Sequence, residues 1–292
     1  MKTPAPHLTS QKKYPQAFSL EVFPPRTDQG MHKLKQTIAA LGVIQPEYIS
    51  VTYGAGGTTQ ERTLETVTFI QQQTPFQATP HLTCIGATKT SIRQLLNNYQ
   101  QLSIQRIVAL RGDIPSGMMD PGEFKYASDL VKFIRDTTGD TFKLEVAAYP
   151  ETHPQARNCD EGIKHFKTKV QAGASAAITQ YFFNADSYFY FIDSCEKAGI
   201  DLPIVPGIMP ITNYEQLIRF SAMCGAEVPR WLKCRLESFE HDIDSLRAFG
   251  QDFITELSQR LLDAGAPGLH FYSMNQTHPT LEIAQALTLK NH

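Results

Sequence analysis

Short apolar, β-branched or aromatic runs alternate with longer amphipathic stretches from one end of the chain to the other. The runs predict strands at 18–23, 48–53, 78–84, 106–111, 144–149, 176–182, 204–208 and 268–273. Between them, apolar residues recur at three- and four-residue spacing, which predicts helices. These fall at 31–41, 64–70, 91–99, 128–135, 163–172, 187–198 and 214–223, with two helices over 238–264 and a last one at 280–289. Thr58 and Glu61 have capping-box spacing before the second helix. Gly173, Gly199 and Gly265 stand where helix C-terminal caps belong.

Eight strand-then-helix units in order predict an α/β protein, a single (β/α)8 TIM-type barrel. Near-continuous apolar strands fit parallel strands covered by helices. An open, doubly wound sheet shares this periodicity, but the count of eight favours closure. The 292 residues accommodate one such barrel, which commonly takes about 250. We expect residues 1–17 to be a polar, Pro-rich extension, disordered by default, and residues 18–292 to form the catalytic barrel.

Composition narrows the function. Hydrophobic residues make up 41% of the chain, enough for a sizeable core, and the formal net charge of -2 offers no basic surplus for nucleic acid. No segment approaches the roughly 18 apolar residues of a membrane span, and the N-terminal stretch has no apolar signal core. The five cysteines are widely spaced without a Cys-x-x-Cys pair, which points to reduced thiols in a cytoplasm and to no metal site. The Gly-rich stretch after the second strand, Gly54 to Gly57, matches neither a dinucleotide fingerprint nor a phosphate-binding loop.

In a barrel of this kind, chemistry belongs at the C-terminal strand ends. Polar groups gather there: Glu21 in the first strand, Thr52 and Tyr53 after the second, His81 in the third, Arg111 and Asp113 after the fourth, Tyr149 after the fifth and Gln180 in the sixth. Glu21 is the sharpest. A carboxylate inside an apolar strand is costly to desolvate unless paired or protonated, so its pKa is expected to rise toward that of a general acid. An exposed edge, or a pair with Arg26, is the less favoured alternative. Asp113 also reads as a helix N-cap, Gln180 as a satisfied core amide and His81 as a core histidine. A flavin-free lyase using Glu21 as base, or a non-catalytic binding protein, stays open at this level.

The run SLEVFPPRT from Ser19 resembles methylenetetrahydrofolate reductase in its bacterial, catalytic-domain-only form. So do SVTYGA from Ser50, PHLTC from Pro80, ALRGD from Ala109, YASDL from Tyr126, AAYPETHP from Ala147, AITQYFF from Ala177, PGIMP from Pro206 and HFY from His270. The resemblance covers nearly the whole chain, in order. It implies FAD at the barrel mouth, with NADH or NADPH and 5,10-methylenetetrahydrofolate using the flavin in turn, to make 5-methyltetrahydrofolate for methionine synthesis. It assigns the general acid to Glu21 and the carboxylate beside the flavin to Asp113. Thr52, Tyr53, Ala55, His81, Leu110, Arg111, Gly112, Asp113, Tyr126, Ala127, Tyr149, His153, Ala156 and Lys169 would line FAD. Glu21, Asp113, Gln180, Gln216 and Phe220 would meet folate. Small molecules are the implied partners, in a cytoplasmic homo-oligomer, and the chain's length implies no inhibition by S-adenosylmethionine. Two departures stand out. Gly162, His165 and Thr168 replace the usual Asp, Asn and basic residues near the adenosine end, and Gln276 replaces an Arg after the last strand.

Overall fold

Apolar residues on alternate positions of the strands join the hydrophobic core against the helices, while the intervening positions, many of them polar, face the lumen. In β1 (Ala17–Val22), Phe18, Leu20 and Val22 join the hydrophobic core, while Ser19 and Glu21 carry polar contacts. A computed structural model describes residues 8–53, 57–113 and 122–287, and of 57–59 the backbone alone. After a short α1 (Thr9–Lys12) and β1 come α2 (Asp28–Leu41), β2 (Tyr48–Val51), α3 (Gly57–Gln73), β3 (Gln77–Thr83), α4 (Lys89–Gln101) and β4 (Arg106–Leu110). Then follow α5 (Ala127–Thr138), β5 (Lys143–Ala148), α6 (Cys159–Gln171), β6 (Ala176–Thr179), α7 (Ala185–Lys197), β7 (Ile204–Val205) and β8 (Gly207–Ile208). The chain continues through α8 (Tyr214–Cys224), α9 (Arg230–Glu237), α10 (Ile243–Ala264), β9 (Gly268–Tyr272) and α11 (His278–Ala286).

The strand order is β7-β6-β5-β4-β3-β2-β1-β9-β8, parallel throughout. The ends of that order, β7 and β8, are one stretch of chain interrupted only by Pro206. Ile204 and Val205 pair with β6, and Gly207 and Ile208 pair with β9. This segment is the seventh stave, and it brings the sheet round into a TIM-type barrel. Pro206 has no N–H to give, but its carbonyl accepts from His270 N at 3.0 Å. At Gly207 a Cβ would stand 2.2 Å from the Thr179 carbonyl oxygen and 2.6 Å from the Tyr272 ring. Only glycine fits this seam.

Helix ends follow local chemistry. Thr27, Thr88, Asn158, Asn184 and Asn213 accept backbone N–H bonds at the starts of α2, α4, α6, α7 and α8. Gly173, Gly199 and Gly265 carry positive φ just past α6, α7 and α10. One expectation is corrected: 238–264 is not two helices. It holds a single helix, α10, started by Asp242 accepting from Ser245 N at 3.1 Å, and the additional helix, α9, lies before it. The Thr58 half of the expected capping box lies outside the described side chains. At the base of the barrel, Leu8 is buried with its N–H on Ala264 O, and the Gln11 amide bonds Leu202 O and Ile204 N.

Candidate active site

A cavity of about 960 Å³ opens at the C-terminal ends of β2 to β5, near the upper end of the roughly 300–1,000 Å³ typical of small-molecule sites. Thr52, Tyr53, His81, Leu110, Arg111, Gly112, Asp113, Tyr126, Ala127, Tyr149, His153, Ala156 and Lys169 all line it. Ala55 lies outside the described residues. The wall also holds Glu161, Gly162, His165, Phe166, Thr168, Tyr190 and Phe191 from α6 and α7. The resemblance places Gly162, His165 and Thr168 near the adenosine end, whereas Glu161, Phe166, Tyr190 and Phe191 carry no sequence signal beyond amphipathic helical periodicity.

Positive charge is concentrated on one wall. Lys169, near the end of α6, reaches the Ala147 carbonyl oxygen and sits 5.6 Å from the Phe166 ring centroid. Burial lowers its pKa to about 8. Arg111 follows β4, where its Nε donates to Gly112 O at 3.3 Å. Gly112 has φ +87, and a Cβ there would stand 2.9 Å from Ile85 and 3.0 Å from Thr83, so the turn that presents Arg111 depends on glycine. The N-terminus of α5 contributes Tyr126, Ala127 and Ser128 to the same wall, where helix polarity favours an anion. His153 accepts from Gln155 N at 3.0 Å on Nδ1. Burial, then Arg111 and Lys169, lower its pKa, so it stays neutral.

Glu21 is not itself on the cavity wall but lies immediately behind His81, which is. Its Oε2 is 3.4 Å from His81 Nε2 and 3.7 Å from His270 Nε2. The exposed-edge and Arg26 alternatives therefore fall away. The expected rise in pKa is corrected. Burial is the largest influence and pushes Glu21 up, but His270 and His81 outweigh it and hold the carboxyl below its ordinary value. His81 itself is lowered, first by burial. Asp113 stands exposed on the cavity rim. Burial, then Asp113, raise the Tyr149 phenol, and burial, then Glu21 and Tyr149, raise that of Tyr272.

The three remaining candidates stand apart from the main cavity. The Gln180 side-chain oxygen accepts from Tyr181 N at 3.0 Å and lines a small recess shared with Tyr149, Glu151 and Cys224. Gln216 and Phe220 lie half-buried on α8, Phe220 under the Arg219 guanidinium at 5.3 Å, and neither borders the cavity or the recess.

Residues 7–288 match the family model for methylenetetrahydrofolate reductase. The 5,10-methylenetetrahydrofolate reductases of Salmonella typhimurium and Escherichia coli are each 37% identical over 272 residues, covering 93% of this chain and 90% of theirs. Among solved structures, an uncharacterized protein from Clostridium thermocellum that binds two copies of 5-methyl-5,6,7,8-tetrahydrofolic acid superposes with a TM-score of 0.67 at 17% identity. That match covers 96% of this chain and 95% of the other, a likeness of fold.

Proposed function

The chain belongs to the methylenetetrahydrofolate reductase family, and on that basis we propose that it reduces 5,10-methylenetetrahydrofolate to 5-methyltetrahydrofolate with FAD as its resident cofactor. NADH or NADPH is the reductant, the two substrates occupy the site in turn, and the product supplies methyl groups for methionine synthesis. The observation that carries this reading is one cavity with a cationic wall at Lys169 and Arg111 and a histidine-flanked carboxyl, Glu21, behind its floor.

The residues fit FAD. A buried ammonium whose pKa falls to about 8 calls for an anion, and Lys169, Arg111 and the α5 N-terminus offer a diphosphate several donors. When bound, FAD supplies hydride acceptance from the nicotinamide and hydride donation to the one-carbon unit. Thr52, Tyr53, His81, Leu110, Gly112, Tyr126, Ala127, Tyr149, His153 and Ala156 form the surrounding wall, with Ala55 assigned by resemblance alone.

Glu21 protonates the N10 side of the folate and opens its five-membered ring to an iminium cation. Its lowered pKa keeps it ionised before the substrate arrives. A pterin covering the site removes remaining water, and because desolvation is already the largest influence on this carboxyl, binding drives its pKa up and loads the acid. Asp113, as an anion on the rim, favours the cationic iminium. Gln180 hydrogen-bonds the pterin from the recess by releasing its contact with Tyr181 N, and Gln216 and Phe220 meet the rest of the folate only if α8 moves inward.

Two measurements test this. Purified protein should absorb near 450 nm (a rough value for flavins,) and bleach with NADH; a colourless protein that binds no FAD refutes the assignment. Glu21→Gln should still bleach with NADH while methylenetetrahydrofolate fails to restore the colour. Equal survival of both half-reactions would remove Glu21 from the acid role.

A further inference from the structure

The strand that carries Glu21 loses one of its two neighbours just where the carboxyl is delivered. β1 pairs with β9 only as far as Glu21 opposite Tyr272, whereas β2 stays beside it to Val22 opposite Val51. Beyond Tyr272 the chain folds back on itself, with the Gln276 N–H donating to Ser273 O at 2.9 Å. In this turn Met274 and Asn275 take φ of 52° and 55°, a left-handed pair that residues other than glycine rarely adopt and that methionine has nothing of its own to favour. What holds the turn lies on β1. Asn275 Oδ1 accepts from the Phe23 N–H at 2.9 Å, and its Nδ2 donates to Phe23 O at 2.8 Å. One side-chain amide thus satisfies both backbone groups that a continuing strand would have paired. The buried Ser273 hydroxyl donates to Glu21 O at 2.6 Å and accepts from the Asn275 N–H at 3.3 Å. The Ser273 N–H reaches the same Glu21 oxygen at 3.3 Å, and the Thr37 hydroxyl of α2 ties down Asn275 O at 3.4 Å.

We propose that Asn275 and Ser273 are positioning residues for the acid step, standing in for the missing strand beside β1 so that the Glu21 carboxyl is held between His81 and His270. The inference rests on Glu21 as the folate acid. An asparagine that served the turn alone would bond within it, as such side chains do in ordinary turns; both bonds of this amide cross to residue 23 instead. Together with Ser273 it grips the main chain at Glu21 and again two residues on, while β2 holds the other side through Thr52 N on Val22 O at 3.0 Å. The carboxyl has only two close partners to fix it, at 3.4 Å and 3.7 Å, so its place in the lumen follows the backbone that bears it. A left-handed turn kept without glycine beside the proposed acid is backbone strain held where it serves placement.

The test is Asn275→Gly, which keeps the left-handed turn accessible and removes only the amide. Both half-reactions are followed by anaerobic rapid mixing on FAD-saturated protein. Bleaching by NADH should stay within about twofold of the parent, while reoxidation by saturating methylenetetrahydrofolate slows about tenfold and folate Kd moves by less than about threefold. Ser273→Ala should act in the same direction, and it reads the clamp if Asn275→Gly does not fold. Half-reactions that slow together would make the turn merely structural and overturn the proposal. So would an unchanged folate rate at saturation, or a loss confined to folate affinity. Glu21→Gln, run alongside, separates the two readings. If it keeps the folate half-reaction, Glu21 is not the acid and the clamp has nothing to position; if it loses that half-reaction while the clamp variants keep it, this inference alone fails.

Discussion

Lys169 is where ligand binding and stability should pull in opposite directions. Burial takes its pKa from the ordinary lysine value of 10.5 to about 8, which corresponds to roughly 3 kcal/mol of lost ammonium solvation. The side chain retains some contact with water, so about 2 kcal/mol is the better working figure. Lys169→Met removes that cost. In protein stripped of FAD, the variant should therefore be more stable than the parent by about 2 kcal/mol at pH 7. The folded-state pKa is depressed, so the parent gains stability as pH rises from 8 toward 10.5, and the variant's advantage should fade across that window. For binding the sign reverses. A diphosphate beside the ammonium raises its pKa, so the parent takes up a proton on binding FAD above pH 8. Its Kd should be flat below about pH 8 and climb above it, by up to about tenfold per pH unit. Lys169→Met should weaken FAD by about 1.5–3 kcal/mol at pH 7, roughly 10- to 100-fold, and lose the climb. Thermal melts with FAD fluorescence titrations at pH 7, 8 and 9 measure both. A parent and a variant with the same Kd and the same pH slope would refute the reasoning.

Two further outcomes follow from the lumen and the seam. Arg106→Met strands the buried Glu145 carboxylate and should cost about 3–5 kcal/mol, read by urea unfolding, with Glu145→Gln added to it restoring part of the loss. Gly207→Ala sets a methyl 2.2 Å from the Thr179 carbonyl oxygen and should destabilise by several kcal/mol (about 3,); a midpoint unchanged within error would show that the seventh stave shifts freely.

Much of the fold is written locally in this chain. Apolar runs and 3–4 spacing locate eight staves and most helices, because side-chain periodicity and capping act over a few residues. Glu21 is legible as unusual for the same reason, being a carboxylate in an apolar strand. Distance in sequence hides the rest. The seventh stave is split by Pro206 because β6 and β9 each claim half of it, and that competition exists only once the sheet curls round. The direction of the Glu21 pKa is set by His81 and His270, which arrive from β3 and β9, and a sequence that reveals burial does not reveal its partners. The lumen contacts of Arg106, Glu145 and Tyr48 draw on three further strands, and the α7 part of the cavity wall reads as ordinary amphipathic helix until the barrel turns it inward. The sequence alone settled which segments become staves and where acid chemistry could sit; only closure of the barrel decided which groups meet across it, because hydrogen bonds and charges act over a few ångströms, whatever the number of residues between them.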